Sequence, residues 1–150
     1  MTVSSEHPVD RPQKVVAYIV RDERIVVLRH ADQPWDQAGL QVPAGTVRPG
    51  ETPEDAVLRE AREETGLEGL RIVRRLGAGE YDMRPYADAI HQRYYFLLAV
   101  DGEELPERWE AFEDGDGAGE RIRFELYWVP LAQAHVVAGG QAALLGRIFD

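Results

Sequence analysis

Short apolar runs separated by polar turns dominate the first third of the chain. Residues 15–20 and 25–28 are apolar and rich in β-branched side chains, and the polar tetrapeptide RDER separates them. This pattern predicts a hairpin of two buried strands. A further short strand is predicted at residues 40–42, which run into the sequence PAG.

The next segment has the pattern of a helix with a marked beginning and end. Thr52 is a candidate N-cap, Pro53 suits the first helical position, and Asp55 stands three residues after the cap in a variant of the capping box. Gly66 is a typical C-terminal stop. The sequence therefore predicts a helix between Thr52 and Gly66.

Strands and helices remain interspersed in the rest of the chain. Strands are predicted at residues 70–76 and 92–100, a long acidic loop at 101–120, and a last helix at 140–149. Residues 122–129 alternate, which predicts a strand with one face in the core. The residues expected on that core face are Ile122, Phe124, Leu126 and Trp128. The class is α/β or α+β, and periodicity leaves the order of the strands open.

Composition limits the kind of protein. The chain has 150 residues, 44% of them hydrophobic, with a formal net charge of -10 and no cysteine. Such a length suits a single domain, here 14–150, behind a flexible polar arm at 1–13. No apolar run is long enough to span a membrane, and the acidic charge disfavours duplex nucleic acid as a partner. The absence of cysteine fits a reducing, cytoplasmic location.

The predicted helix carries a cluster of carboxylates. Glu60, Glu63 and Glu64 fall within one turn, where like charges repel by about 0.2–0.5 kcal/mol per pair. A bound divalent cation would reverse the sign of that term. Carboxylates without cysteine or paired histidine suit a hard cation, Mg²⁺ or alternatively Mn²⁺. For three glutamates taken alone, a solvated charged face is the commoner explanation.

The spacing around the glutamates adds a second, more specific pattern. From Gly45 the sequence reads GTVRPGETPEDAVLREAREETGL. It resembles the Nudix box, G-x5-E-x7-R-E-U-x-E-E-x-G-U, in which U is a bulky or aliphatic residue. Every fixed position matches, and Ala61 is small for its U position. The match covers about a seventh of the chain, and the chain is identified as a member of the Nudix hydrolase family.

The resemblance implies a fold and a reaction. Nudix hydrolases fold as an α/β/α sandwich around a mixed sheet, with the box as loop, helix and loop. They use divalent cations and water to cleave the diphosphate linkage of a nucleoside diphosphate joined to another group. The implied partner here is a small nucleotide substrate, and homodimerisation is a further expectation from the family.

The resemblance also implies the residues of the metal site. By position in the box, Glu60, Glu63 and Glu64 are expected metal ligands, and the backbone carbonyl of Ala44 is a further candidate ligand. Either Glu63 or Glu64 is also expected to help deprotonate the attacking water.

Supporting groups follow from the same resemblance. Glu51 matches a box glutamate with an orienting role, and Arg59 matches the arginine that positions the glutamates. Many relatives recruit another carboxylate from a later loop, and Glu120 is the candidate here.

Three residues outside the box are candidates for binding substrate. Trp35 and Tyr86 lie in predicted loops and are expected either to stack on a base or to cover the core. Arg29 follows the second predicted strand and is either a phosphate contact or a surface arginine.

The substrate is left open by the sequence. The segment QVPAGTV resembles relatives that act on nucleotide sugars or ADP-ribose, but Met83 stands where subgroups carry a characteristic Pro or Tyr. ADP-ribose-like compounds, dinucleoside polyphosphates and damaged nucleoside triphosphates all remain candidates. The alternative from another class is a nucleotide-sensing module without hydrolysis, against which the intact box argues. An isomerase of isopentenyl diphosphate ranks last, because the chain lacks the cysteine of that chemistry.

Overall fold

A mixed β-sheet with helical segments on both faces forms the molecule. The computed structural model describes residues 9–32, 39–102, 104–114, 121–136 and 141–149. The predicted site residues Trp35 and Glu120 lie outside these ranges. The layered arrangement confirms the predicted α/β class. Within the described ranges, no helix has the length and apolar character needed to cross a membrane.

The sheet has seven strands in the order β4-β5-β1-β2-β7-β6, with β3 paired to β1 beside this path. Strands β1 and β5 run parallel, and the other pairs are antiparallel. The strands are β1 Gln13–Arg21, β2 Arg24–His30, β3 Ala44–Thr46, β4 Leu70–Asp82, β5 Ile90–Val100, β6 Arg108–Asp114 and β7 Arg121–Pro130. The helix α1 is Pro53–Thr65, and two 3-10 helices are Leu131–Val136 and Leu145–Phe149.

Strand β1 exchanges partners along its length. The predicted hairpin is confirmed, with Asp22 and Glu23 at its turn, but β1 and β2 pair only where Val20 and Arg21 meet β2. The first residues of β1 pair instead with β3, from Lys14 opposite Thr46 onward. The early separation of β1 and β2 therefore makes room for β3, which contains Gly45, the first residue of the segment that resembles the Nudix box.

Each face of the sheet has its own core. Alternate residues of β1 divide between them, with Val15 and Ala17 packed against α1 and Val16 and Tyr18 packed against the C-terminal segment. This is the two-residue periodicity of a strand buried on both faces.

The ends of α1 confirm the predicted caps. The Thr52 hydroxyl accepts a hydrogen bond from the Asp55 N–H at 3.1 Å. Gly66 is left-handed, with φ 71, and donates its N–H to the Arg62 carbonyl at 2.8 Å. The buried side of the helix consists of Ala56, Val57, Ala61 and Thr65.

The prediction of one long loop at 101–120 is wrong. Strand β6 lies within this segment and places Trp109 and Ala111 against the helix-side core. The many charged residues of the segment obscure the alternation of a strand.

The core face predicted for residues 122–129 is confirmed at Phe124, Leu126 and Trp128.

The predicted last helix is replaced by a turn and a 3-10 helix. Residues 141–144 form the turn, and the 3-10 helix Leu145–Phe149 follows. The Tyr18 hydroxyl donates to the Gln141 carbonyl and accepts from the Leu144 N–H. Because Tyr18 takes up backbone groups that a continuous helix would use, the segment docks as a turn on the sheet.

Candidate functional site

Arg59 lies at the centre of a hydrogen-bond network within segment 45–67. Its Nε and Nη2 donate to the two carboxylate oxygens of Glu51 at 2.8 and 2.9 Å, and Nη2 also donates to the Thr46 carbonyl at 2.9 Å. Its Nη1 donates to Glu60 at 2.6 Å. One guanidinium therefore ties the helix to β3 and to the loop before the helix, as its planar fork of donors allows.

Glu51 is fully engaged in this network. One of its oxygens also accepts the Arg48 N–H at 3.0 Å. The hydrogen bonds from Arg59 and from that backbone group lower the pKa of Glu51 to about 2. Glu51 is therefore ionised and oriented towards the arginine.

The carboxylate of Glu60 lies directly over Gly45. A Cβ at residue 45 would overlap the Glu60 carboxyl group, so a side chain there would displace it. This steric requirement explains the glycine, which needs no unusual φ. The first glycine of the segment thus makes room for a functional side chain.

Glu64 is held on the edge of β3 that faces away from β1. It accepts the Ala44 N–H at 2.9 Å. Burial raises the pKa of Glu64 well above its usual range, against the opposing effect of that N–H. The nearby charges of Glu113, Glu60 and Glu63 raise the pKa further.

The register of β3 explains why the backbone N–H and carbonyl of Ala44 point towards α1. The Ala17 N–H bonds the Pro43 carbonyl and the Val47 N–H bonds the Gln13 carbonyl, so Ala44 is in a non-hydrogen-bonded position opposite Val16. The N–H and carbonyl of such a residue both point away from the partner strand. The Ala44 carbonyl is therefore on the same side of β3 as the N–H that Glu64 accepts.

Glu63 is the most exposed of the three helix glutamates, with 45% of its side chain accessible. Its contact with Arg59, four residues earlier in the helix, is long, at 3.4 Å, and is weaker than the contacts of Arg59 with Glu51 and Glu60. In the described part of the chain, no three acidic or histidine side chains converge closely enough to enclose a metal ion.

The charge balance nevertheless fits a cation. Arg59 is the arginine that hydrogen-bonds these carboxylates in the described residues, and it faces Glu51, Glu60 and Glu63. Glu64 is half-buried beside them and accepts the Ala44 N–H. Carboxylates drawn away from water are normally paired with a cation or neutralised, and oxygen ligands of this kind suit a hard divalent ion.

Strand β6 adds a carboxylate that the sequence did not reveal. Residues 109, 111 and 113 share one face of β6, and Trp109 and Ala111 pack in the helix-side core. Glu113 is therefore on the face towards α1, where its charge acts on Glu64. The alternation in RWEAFE is the sequence signal for this face, although the predicted loop at 101–120 includes it.

The other predicted site residues are not gathered at this centre. Arg29 pairs with Glu125 at 2.7 Å on the face of the sheet opposite α1. Tyr86 is at the tip of the β4–β5 connection and is 91% exposed. A cavity of about 370 Å³ at the β1–β2 turn, which includes Arg24 and Trp128, contains none of the box carboxylates.

A smaller pocket adjoins the carboxylates across β3. It has a volume of about 180 Å³, and its lining includes Ala44, Gly45, Lys14, His91 and Arg93. Lys14 and Arg93 are direct partners in the parallel β1–β5 register. Because parallel pairing joins residues far apart in the chain, no local sequence pattern could bring these cations together.

Comparisons with known proteins show the family of the chain. A family model described as NUDIX domain matches residues 10–146. An ADP-ribose pyrophosphatase of Bacillus subtilis (strain 168) is 30% identical over 112 residues, 74% of this chain and 58% of that protein. An RNA pyrophosphohydrolase of Gluconobacter oxydans (strain 621H) is 39% identical over 74 residues, 49% of this chain and 42% of that protein. The chain therefore spans about half the length of these two relatives.

Solved structures show the same fold. A MutT NUDIX hydrolase from Burkholderia pseudomallei superposes with a TM-score of 0.66 at 20% identity, covering 93% of this chain and 98% of that one. A MutT protein from Methanosarcina mazei Go1 gives 0.66 at 18% identity, covering 96% of each chain.

Proposed function

The chain belongs to the NUDIX domain family, and from this premise we propose that it is a divalent-cation-dependent hydrolase. Its reaction is cleavage of the diphosphate linkage in a nucleoside diphosphate derivative by water. The observation that carries the proposal is the half-buried carboxylate of Glu64 beside Glu60 and Glu63, with Arg59 bonded to the neighbouring glutamates. The names of the relatives, which include ADP-ribose and RNA pyrophosphohydrolases, support the reaction class.

The residues that would hold the ion are Glu60, Glu63, Glu64 and the Ala44 carbonyl. Mg²⁺ is the expected ion and Mn²⁺ the alternative, because both accept hard oxygen ligands. Such an ion, when bound, neutralises phosphate charge and acidifies water. Glu113, on the face of β6 towards α1, is a further candidate ligand in the role first expected for Glu120.

The side chains have two further roles, positioning of the ligands and acceptance of a proton. Arg59 holds Glu60 in place and is itself fixed by Glu51 and the Thr46 carbonyl. Glu64 and Glu63 are the candidates to accept the proton of the attacking water. Arg59 and Glu51 act by positioning and touch no reacting atom in this scheme.

A substrate screen tests the proposal directly. The full chain would be incubated with Mg²⁺ or Mn²⁺ and with ADP-ribose, nucleotide sugars, dinucleoside polyphosphates, and normal and oxidised nucleoside triphosphates, and products identified by mass. Cleavage of one class that a chelator abolishes is the expected result. A folded protein that binds a nucleotide but cleaves none of these compounds would instead favour the nucleotide-sensing alternative.

A further inference from the structure

The pocket beside β3 has a composition unlike the rest of the surface. The chain has a net charge of -10, yet this pocket presents Lys14, Arg93 and His91 together. Residues 14, 91 and 93 lie at the beginnings of β1 and β5, and the parallel register sets Lys14 opposite Arg93. A local concentration of cations in an acidic protein indicates a site for an anion.

Lys14 and Arg93 are each held in place by a neighbouring side chain. Lys14 donates to the Thr46 hydroxyl at 2.6 Å, and the Arg93 guanidinium lies 4.2 Å from the centre of the Tyr81 ring. These contacts fix both side chains at the pocket before any ligand arrives, which lowers the entropic cost of binding.

The pocket is joined to the carboxylate centre by the residues of β3. The Thr46 hydroxyl faces Lys14, and the Thr46 carbonyl accepts the Arg59 guanidinium at 2.9 Å. Ala44 and Gly45 line the pocket and also contact Glu64 and Glu60. An anion in the pocket would therefore be next to a diphosphate held at the carboxylates.

The size of the pocket selects the kind of group. Its volume of about 180 Å³ is below the roughly 300–1,000 Å³ of sites that hold a whole drug-sized ligand. Among the described residues that line it there is no Phe, Trp or Tyr to stack on a base. The dimensions and charges fit one phosphate group.

We propose that Lys14, Arg93 and His91 form a subsite for a phosphate that lies beyond the cleaved linkage. This inference rests on the proposed function, and it names the substrate class as compounds with three or more phosphates in a row, such as nucleoside triphosphates and 5′-triphosphorylated ends. In a compound whose diphosphate joins two sugars, these cations would face neutral hydroxyl groups.

The charges of the pocket act on one another. Burial lowers the pKa of Lys14 and so does the charge of Arg93, while the charges of Glu60 and Asp10 raise it. Burial also lowers the pKa of His91, as do the charges of Lys14 and Arg93, against the charge of Asp10. At pH 7 the charges of the subsite are therefore those of Lys14 and Arg93, and His91 is a neutral hydrogen-bonding group.

Binding of inorganic triphosphate to the metal-free full chain tests the subsite without requiring turnover. Calorimetric titration should give saturable binding that Lys14→Gln and Arg93→Gln each weaken by about tenfold or more, because each removes a charge-assisted contact. Arg71→Gln is the matched control, since Arg71 pairs with Asp101 at the other end of β4 and should leave the affinity unchanged. Lys14→Arg should retain binding, and thermal melts would verify folding.

Kinetics then separate the subsite from the proposed reaction. Arg93→Gln should raise KM about tenfold for a nucleoside triphosphate and leave KM for ADP-ribose unchanged. Equal effects on both substrates would place the cations on the cleaved diphosphate itself and overturn the inference. So would wild-type triphosphate affinity in Lys14→Gln and Arg93→Gln, or no saturable binding by the wild type. Triphosphate binding that these variants weaken, without hydrolysis of any substrate, would support the subsite while defeating the proposed function.

Discussion

Two clusters of arginine and glutamate lie on opposite faces of the sheet and differ in their charge balance. On the α1 side, Arg59 contacts Glu51, Glu60 and Glu63. On the other side, Glu125 accepts from both Arg29 and Arg108, and Arg108 also stacks on the Tyr127 ring at 4.8 Å. The first cluster has more carboxylates than arginines, and the second has more arginines than carboxylates.

The difference shows which feature indicates a functional site. Both clusters have short contacts and half-buried members, so the presence of ion pairs does not distinguish them. What distinguishes them is the excess of negative charge around Arg59, next to the half-buried Glu64. Leaving partly buried charge uncompensated costs stability, and proteins retain it where a ligand supplies the missing charge.

The largest expected effect separates the two clusters by activity. Glu64→Gln and Glu63→Gln should each lower kcat on the order of 100-fold or more, because each removes a ligand charge and a candidate proton acceptor. Glu125→Gln makes the same chemical change in the other cluster and should leave kcat near the parental value. Steady-state kinetics on the substrate found in the screen would measure all three. Parental rates in both box variants would refute the assignment of the metal site.

A second substitution tests the arginine rather than the carboxylates. Arg59→Lys keeps the charge but loses the two-point contact with Glu51 and the bond to the Thr46 carbonyl, so kcat should fall about tenfold or more. Arg108→Lys is the matched change on the other face and should have little effect. If Arg59→Lys turned over at the parental rate, the positioning role of Arg59 would be wrong.

Cation binding gives a third test that needs no substrate. Mg²⁺ at about 100 times its dissociation constant should stabilise the fold by about 2.7 kcal/mol, a rise in Tm of several degrees for a domain of this size. Glu64→Gln should abolish most of that rise, while Glu125→Gln should preserve it. Thermal melts with and without Mg²⁺ measure this, and an equal rise in all three proteins would place the ion elsewhere.

The smallest expected effect is on stability in acid. The folded pKa of Glu51 is about 2, below its ordinary value of 4.5. A lowered pKa contributes stability above the ordinary value, and that stability is lost as the pH falls towards the folded value. Between pH 6 and pH 3 the Tm of the wild type should therefore fall more steeply than that of Glu51→Gln. Parallel curves would show that the Glu51–Arg59 bond has no net effect on folding stability.

Local sequence signals predicted some parts of this molecule well. The caps of α1 at Thr52 and Gly66 follow from residues that act within a few positions, and the structure has them as predicted. The grouping of Arg59 with the helix glutamates is also a local feature, because these residues are close in the chain. The steric reason for Gly45 could not be predicted, because it depends on where α1 docks on β3.

The predictions that were wrong concern segments whose structure depends on distant partners. Strand β6 lies in a segment whose many charged side chains favour a loop and mask the positions that pack on α1. The C-terminal segment has a helix-like composition, yet contacts with Tyr18 hold its first part as a turn.

The sequence by itself determined the helix, its caps, the spacing of its carboxylates and the family to which the chain belongs. These features arise from interactions over one or two turns, where residue type and spacing are sufficient. The tertiary structure decided which backbone edge meets the carboxylates, that Glu113 approaches them, and that Lys14 and Arg93 share a pocket. Those arrangements come from the pairing of β1 with β3 and β5, and pairing between distant strands is set by the packing of the whole sheet.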